Sequence, residues 1–167
     1  YLAEHLAAEG AKLILADSDK KRAREAADRF DAKLVSPGKI LTQKCDILAP
    51  SALGGVLNAA TIPKLRCRIV VGPANNQLAS HADDRRLRRR NILYAPDFVV
   101  NGGGLINIAC EMETYDREKA RRNVLKIGET MRRIMTRARE EKITPLAAAD
   151  AMVKERLSQY SSGPSAS

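Results

Sequence analysis

The segment RIVVGPANNQ, residues 68–77, decides how the chain is read. Ile69, Val70 and Val71 form a β-branched run too short for a helix and suited to a strand buried on both faces. Gly72 and Pro73 stop that run, and Ala74, Asn75, Asn76 and Gln77 follow as a small polar loop. The same order recurs elsewhere. Lys12–Ala16 (KLILA) precedes Asp17, Ser18 and Asp19. Cys45–Ala49 (CDILA) precedes Pro50 and Ser51, and Ile92–Ala95 (ILYA) precedes Pro96 and Asp97. Lys33–Val35 reads as a further short strand.

Helical patterns fill the intervals. Leu2 and Leu6 share one face of a first helix, which Gly10 ends. Ser18 or Asp19 caps a second, which runs to Phe30 with Ala23, Ala26, Ala27 and Phe30 on one side. A third spans 78–90. Gly102, Gly103 and Gly104 read as a sharp backbone break before a fourth, at 105–112. Asp116 caps a long helix whose apolar residues Val124, Ile127, Met131, Ile134 and Met135 recur at intervals of three and four or are adjacent. Thr144 and Pro145 open the last helix as cap and first helical residue. Strands spaced by helices predict an α/β fold with a doubly wound, mostly parallel sheet, closed by the C-terminal helices. A helix comes first, so a strand is expected to precede it. Residues 158–167 read as a polar tail, expected to be disordered.

Composition narrows the class. With 44% hydrophobic and 29% charged residues, the chain has material for a core and is not a disordered polymer. Its apolar runs are too short to span a bilayer, and Glu4 and Glu9 stand where a secretory signal would be basic and then apolar. Cys45, Cys67 and Cys110 are widely spaced and odd in number, so a disulfide framework or zinc ribbon is not supported and a reducing, cytoplasmic setting is expected.

In parallel α/β sheets, ligands bind beyond the carboxyl ends of the strands. Asp17 is therefore either an acid that holds the adenosine ribose hydroxyls of a dinucleotide or a cap for the next helix. A ribose-binding carboxylate there favours NAD over NADP. The amides of residues 75–77 either hold a carboxamide and a ribose or form a self-contained turn. Asn101 and the glycines after it present the same choice.

Taken together, GAKLILADSD (10–19), CDILAPSALGG (45–55), GPANNQL (72–78), YAPDFVVNGGGLINIACE (94–111) and TPLAAADAMVKERL (144–157) resemble the glutamate/leucine/phenylalanine/valine dehydrogenase family, with the closest likeness to its leucine dehydrogenase branch. The segments keep the family's order and spacing. The resemblance implies a Rossmann-like dinucleotide-binding domain over residues 1–157. It also implies NAD-dependent oxidative deamination of a branched-chain or other apolar L-amino acid to its 2-oxo acid and ammonia. In the family a separate N-terminal domain carries the catalytic lysine and aspartate. The first strand, the glycine fingerprint and the catalytic residues are therefore expected outside this chain, which by itself is expected to be inactive. The family pattern places Asp17 and Ser18 on the adenosine ribose. It places Ala49, Pro50 and Ser51 beside the cofactor, Ala74, Asn75 and Asn76 near the nicotinamide end, and Asn101 at the cleft. Leu105 and Ile108 match positions lining the substrate side-chain pocket; packing in the core is their other reading. An oligomeric parent is also implied.

The remaining features have plainer readings. Arg85, Arg86, Arg88, Arg89 and Arg90, with a net charge of +9, raise the alternative of a basic module that contacts nucleic acid or a protein partner. No aromatic residues interleave with the run, and Asp83 and Asp84 flank it, so a solvated helix face or subunit contact is expected instead, with no nucleic-acid or membrane partner. His5 and His81 lack partners at ligand spacing, and no metal site is expected. Cys110 reads as a small core residue.

Overall fold

Every strand pair in the computed structural model is parallel. The structure describes residues 1–112 and 115–161, without the side chains of the last two. The chain divides into two compact units. One comprises Tyr1–Lys44 with Lys64–Arg66, the other Cys45–Pro63 and the residues from Cys67 onward.

The first unit runs α1 (Leu2–Ala8), β1 (Ile14–Leu15), α2 (Lys20–Arg29), β2 (Lys33–Leu34) and α3 (Pro37–Ile40). Gly10, at φ +80°, takes the left-handed conformation that lets the chain leave α1. Strands β1 and β2 pair with Ile14 beside Lys33 and Leu15 beside Leu34. The cap of α2 is Asp19, whose Oδ1 accepts from the Lys21 and Arg22 amides at 2.9 and 3.1 Å. Ala23 and Ala27, four residues apart, form its buried face. Helix α3 is a finding that the sequence reading lacks. Pro37, read there as a break, sits in the first turn, where its fixed φ suits a helix and its missing N–H loses nothing.

The second unit holds β3 (Ile47–Leu48), β4 (Ile69–Val70) and β5 (Leu93–Tyr94) in the order β3-β4-β5. Ile69 lies beside both Ile47 and Leu93, and Val70 beside Leu48 and Tyr94. These ladders are shorter than the apolar runs that mark them. Asp46 and Arg68 bend at matching positions just before β3 and β4. Helix α4 (His81–Arg89) begins three residues later than its pattern suggests, because Ser80 and Asp83 form a reciprocal cap. The Asp83 carboxylate accepts from the Ser80 amide and hydroxyl at 2.9 and 2.8 Å. Leu87 on this helix is fully buried.

The arginine run is not wholly solvated. Arg86 pairs with buried Asp83 at 2.8 Å, Arg88 donates to the Lys142 carbonyl at 2.5 Å, and Arg90 donates to the Ile62 carbonyl. Three of the five guanidinium groups are thus used inside the unit.

Beyond β5 come α5 (Asp97–Val100), α6 (Gly103–Glu111), α7 (Arg117–Glu140) and α8 (Pro145–Ser161). The expected break at the three glycines is corrected here. Gly102 is right-handed at φ −63°, and Gly103 and Gly104 lie within α6. Gly103 faces the Val124 side chain, which a Cβ there would meet at an ordinary 3.7 Å, so neither glycine is required by a close approach. Helices α7 and α8 pack through Ile134, Ala138, Ala148 and Ala149, where small side chains permit close approach. Asp116 caps α7, accepting from the Glu118 and Lys119 amides at 2.8 and 3.1 Å. Arg137 on α7 grips Glu155 on α8 with two bonds of 2.8 and 2.6 Å. Helix α8 continues past Leu157 through Ser161, and the Ser158 hydroxyl folds back onto the Glu155 carbonyl at 2.8 Å. Residues 162–167 of the expected tail lie outside the described residues.

Thr144 joins two parts of this unit. Its Oγ1 accepts from the Ala147 amide at 3.1 Å, capping α8, and donates to Asp84 Oδ2 on α4 at 2.6 Å. Burial pushes the Asp84 carboxyl above its ordinary range, and the Thr144 hydroxyl pulls it back part of the way.

Two predictions follow from the packing. A Cβ on Gly72 would lie 2.3 Å from the Pro50 carbonyl oxygen and 2.6 Å from the Pro50 nitrogen, both backbone atoms. Gly72→Ala is expected to destabilise by at least about 1–3 kcal/mol. Gly128→Ala, within α7 and with nothing in reach of its Cβ, is expected to stabilise by about 0.5–1 kcal/mol. Chemical denaturation of the two variants reads both signs.

Thr144→Val removes a cap and a hydrogen bond to a charged, buried partner, so a loss of about 1.5–3 kcal/mol is expected at neutral pH. The folded pKa of Asp84 is raised, so its ionisation weakens the fold above that pKa and has no such effect below the unfolded value. The variant lifts that pKa further. Its deficit should therefore shrink as pH falls from neutrality to about 4, as denaturation midpoints would show.

Candidate functional site

The strand ends of the second unit bring three loops together. After β3 come Ala49, Pro50 and Ser51; after β4 come residues 72–77; after β5 comes the turn into α5. The absent side chain of Gly72 lets the second loop lie directly on the first, and the Ala74 amide donates to the Pro50 carbonyl at 3.0 Å. The Ser51 hydroxyl bonds back to the Ala49 carbonyl at 3.0 Å. Gly54 and Gly55 close the cluster. A Cβ on Gly54 would strike the Asn75 carbonyl oxygen at 2.8 Å, and the Gly55 amide donates to the Asn76 carbonyl at 2.7 Å.

Asn75 and Asn76 are exposed, whereas Ala74 between them and the sheet is buried. Asn76 adopts φ +51°, a left-handed conformation that asparagine tolerates better than most residues. The Asn101 Nδ2 donates to Asn75 Oδ1 at 2.6 Å, which joins the loops after β4 and β5. That bond leaves the Asn75 amide hydrogens and the Asn101 carbonyl oxygen as a donor and an acceptor set side by side.

Of the two readings open for the amides of residues 75–77, Gln77 takes the self-contained turn. It is fully buried, and its Nε2 donates to the Gly72 and Ala74 carbonyls at 2.7 and 3.0 Å. Its backbone amide donates to Asp97 Oδ2 at 2.8 Å. The second carboxylate oxygen of Asp97 accepts from the Phe98 amide at 2.8 Å, and the Asp97 amide donates to the buried Tyr94 hydroxyl at 3.3 Å. Burial, followed by the Asp97 charge, pushes the Tyr94 phenol well above its ordinary range. Asp97 and Gln77 thus hold the site's loops, a role the sequence reading did not assign. The signal was a polar residue immediately after a strand-end loop, but only tertiary contacts distinguish support from display.

Leu105 and Ile108 project from α6 with 73% and 55% of their surface exposed, so they are not core residues of this chain. Cys110, on the same helix, is buried.

In the first unit Asp17 is exposed at the end of β1. It does not cap α2, since Asp19 does so. Its Oδ1 accepts from the Asp19 amide at 2.9 Å and, more loosely, from the Ser18 hydroxyl at 3.4 Å.

A groove of about 610 Å³, lined by apolar Phe98, Val99, Met152 and Val153 together with Arg133, Glu155 and Arg156, includes none of the strand-end amides. No His, Cys, Asp and Glu cluster among the described residues is arranged to hold a metal ion, and no helix among them is long and apolar enough to cross a membrane.

Comparison with known proteins gives the context. The family model described as Glutamate/Leucine/Phenylalanine/Valine dehydrogenase matches residues 6–160. Leucine dehydrogenase of Thermoactinomyces intermedius is 43% identical over 156 residues, covering 93% of this chain and 43% of that protein. Valine dehydrogenase of Streptomyces albus is 40% identical over 162 residues, covering 95% and 44%. The crystal structure of L-tryptophan dehydrogenase from Nostoc punctiforme superposes with a TM-score of 0.91 at 40% identity, over 95% of this chain and 48% of that one. The chain thus spans less than half the length of the relatives it matches. The family match extends through both units and includes the strand-end loops just described. The chain belongs to the glutamate/leucine/phenylalanine/valine dehydrogenase family.

Proposed function

We propose that this chain is the dinucleotide-binding portion of an NAD-dependent amino acid dehydrogenase. The observation that supports this most directly is the 2.6 Å bond from Asn101 to Asn75, which sets an exposed and a half-buried carboxamide side by side. Paired amide donors and acceptors there match the needs of a nicotinamide carboxamide and its ribose. Gly54 and Gly72, which hold no side chain between the loops, keep the backbone close beneath them. The donor set therefore fits a nicotinamide nucleotide, which when bound supplies the hydride acceptor.

In this reading Asp17 accepts the adenosine ribose hydroxyls and disfavours a 2′-phosphate, with Ser18 beside it. One Asp17 oxygen is engaged by the Asp19 amide, an arrangement that fixes the carboxylate's direction. Ala49, Pro50 and Ser51 offer backbone contacts to the cofactor. Ala74, Asn75, Asn76 and Asn101 orient its nicotinamide end, and Leu105 and Ile108 form an apolar wall for the substrate side chain.

The substrate is an apolar L-amino acid, as the names of the leucine, valine and tryptophan dehydrogenase relatives suggest. Loss of the Cα hydride yields an imine, water adds to it, and ammonia leaves to give the 2-oxo acid. This chain's part is orientation and exclusion of water. The acid–base groups belong to another portion of the protein, so the chain alone is expected to turn over no amino acid. An oligomeric parent follows from the family resemblance. The three cysteines are free, which accords with a reducing, cytoplasmic setting.

NADH titration of the complete ¹⁵N-labelled enzyme tests the cofactor reading. Amides of residues 17–18 and 74–76 should shift, and NADPH should shift them less. Asp17→Ala is expected to weaken the interaction about 10- to 100-fold, the equivalent of about 1.5–3 kcal/mol for a lost charged hydrogen bond. Equal responses to both nucleotides, or an unaltered Asp17→Ala titration, would refute the assignment.

Leu105→Ala tests the pocket wall. An exposed leucine should lose less than about 1 kcal/mol of stability on truncation, against about 2–5 kcal/mol in a core. In the complete enzyme the same change should shift the ratio of kcat/KM values toward bulkier side chains by about tenfold. A steep loss of stability with an unchanged substrate profile would refute the pocket-wall assignment.

A further inference from the structure

We infer that Gln77 is a positioning residue whose carboxamide sets the geometry of the Asn75–Asn101 pair. The inference deepens the nicotinamide-binding reading above and rests on it for its functional consequence. The geometric part stands on the loop alone.

Gln77 is fully buried, its Oε1 meets no hydrogen-bond partner among the described residues, and the bonds of its Nε2 stay within its own loop. Both of its donor hydrogens return to the loop it terminates, at the Gly72 and Ala74 carbonyls. The backbone amide of the same residue is fixed from outside by Asp97 Oδ2 at 2.8 Å. Gln77 is thereby a bridge between the β5 end and the interior of the 72–77 loop. Between the Ala74 carbonyl and the Gln77 amide lie only Asn75 and Asn76. Clamping these points confines the two exposed amides to a short arch, with Asn76 held at φ +51°. The arch also delivers the Asn76 carbonyl to the Gly55 amide and Asn75 Oδ1 to the Asn101 amide.

A glutamine suits this task for a chemical reason. Two carbonyl oxygens must be satisfied at once in a site without water access, and a primary amide brings two hydrogens on one nitrogen. A carboxylate would repel both carbonyls, and an apolar isostere would leave both unpaired. Gln77 makes no claim on substrate or cofactor itself. Its effect reaches them through the placement of Asn75 and Asn101, and small displacements of orienting groups are known to produce large losses of efficiency.

The test uses the complete ¹⁵N-labelled enzyme as wild type, Gln77→Met and Gln77→Glu. It reads the side-chain amide resonances of Asn75 and Asn101, the thermal midpoint, and the NADH titration. Gln77→Met should keep cooperative unfolding but lose the distinct, slowly exchanging Asn101 amide signal, with NADH affinity lowered at least about tenfold. Gln77→Glu should resemble it at about pH 8. On acidification to about pH 5, where the buried carboxyl regains its proton and donates one bond, both the Asn101 signal and NADH affinity should recover in part.

An Asn101 signal unchanged in Gln77→Met, or a Gln77→Glu spectrum indifferent to pH, would overturn the proposal. If Gln77→Met does not fold, the pH series of Gln77→Glu decides alone. Wild-type enzyme that shows no NADH shifts would count against the nicotinamide reading, while the Asn101 signal would still decide the role of Gln77.

Discussion

A single carbon added at position 72 would sit 2.3 Å from the Pro50 carbonyl oxygen, closer than any real contact. That exclusion is the constraint on which the strand-end site depends. It lets the loop after β4 lie against the loop after β3, so that the Ala74 amide reaches Pro50 and the Asn76 carbonyl reaches Gly55. With the two loops joined, the paired amides have a fixed base. Gln77 and Asp97 then brace the loop from within and from the β5 side. The site is a stack of backbone contacts that ends in two exposed side chains.

The rest of the second unit holds this stack in place by burying polar groups with partners. Asp83, Asp84, Thr144 and Gln77 are all buried, and each is bonded across elements or along its own loop or helix cap, although Gln77 Oε1 meets no partner among the described residues. The Asp84–Thr144 bond connects α4 to the start of α8, and Arg88 reaches the Lys142 carbonyl beside it. Arginines that look in the sequence like a nucleic-acid patch thus serve partly to satisfy carbonyls at the ends of other elements. Local pairing with Asp83 neutralises another.

Much of the architecture was legible from pattern. The apolar runs at 12–16, 33–35, 45–49, 68–72 and 92–95 each contain a parallel strand, because a short β-branched or aliphatic run bounded by polar turns has few other stable uses. The long helices were visible from their spacing and caps, with Asp116 and Thr144 at the expected positions. The misses share a cause. Pro37, Ser80 and the glycines at 102–104 are residues whose meaning depends on what lies next to them in space. Proline both breaks and begins helices, and glycine serves either a turn or a close contact. Short helices such as α3 and α5 have too few residues for a period to show.

For the site, the sequence alone determined which residue types stand at the strand ends, and so the order of the loops and the chemistry available there. Asn75 and Asn76 follow β4, Asp17 follows β1 in the other unit, and Asn101 follows the short helix α5. What only the tertiary structure decided was the division of labour among similar groups. Asn75 and Asn76 are displayed, whereas Gln77, adjacent and equally polar, is buried and spent on the loop's own carbonyls. Asp19 and not Asp17 caps α2, and Leu105 is exposed on the helix that buries Cys110. The physical reason is the same in each case. A side chain's chemistry is local, but whether its hydrogen bonds are met by the fold or left for a ligand depends on groups far away in the chain.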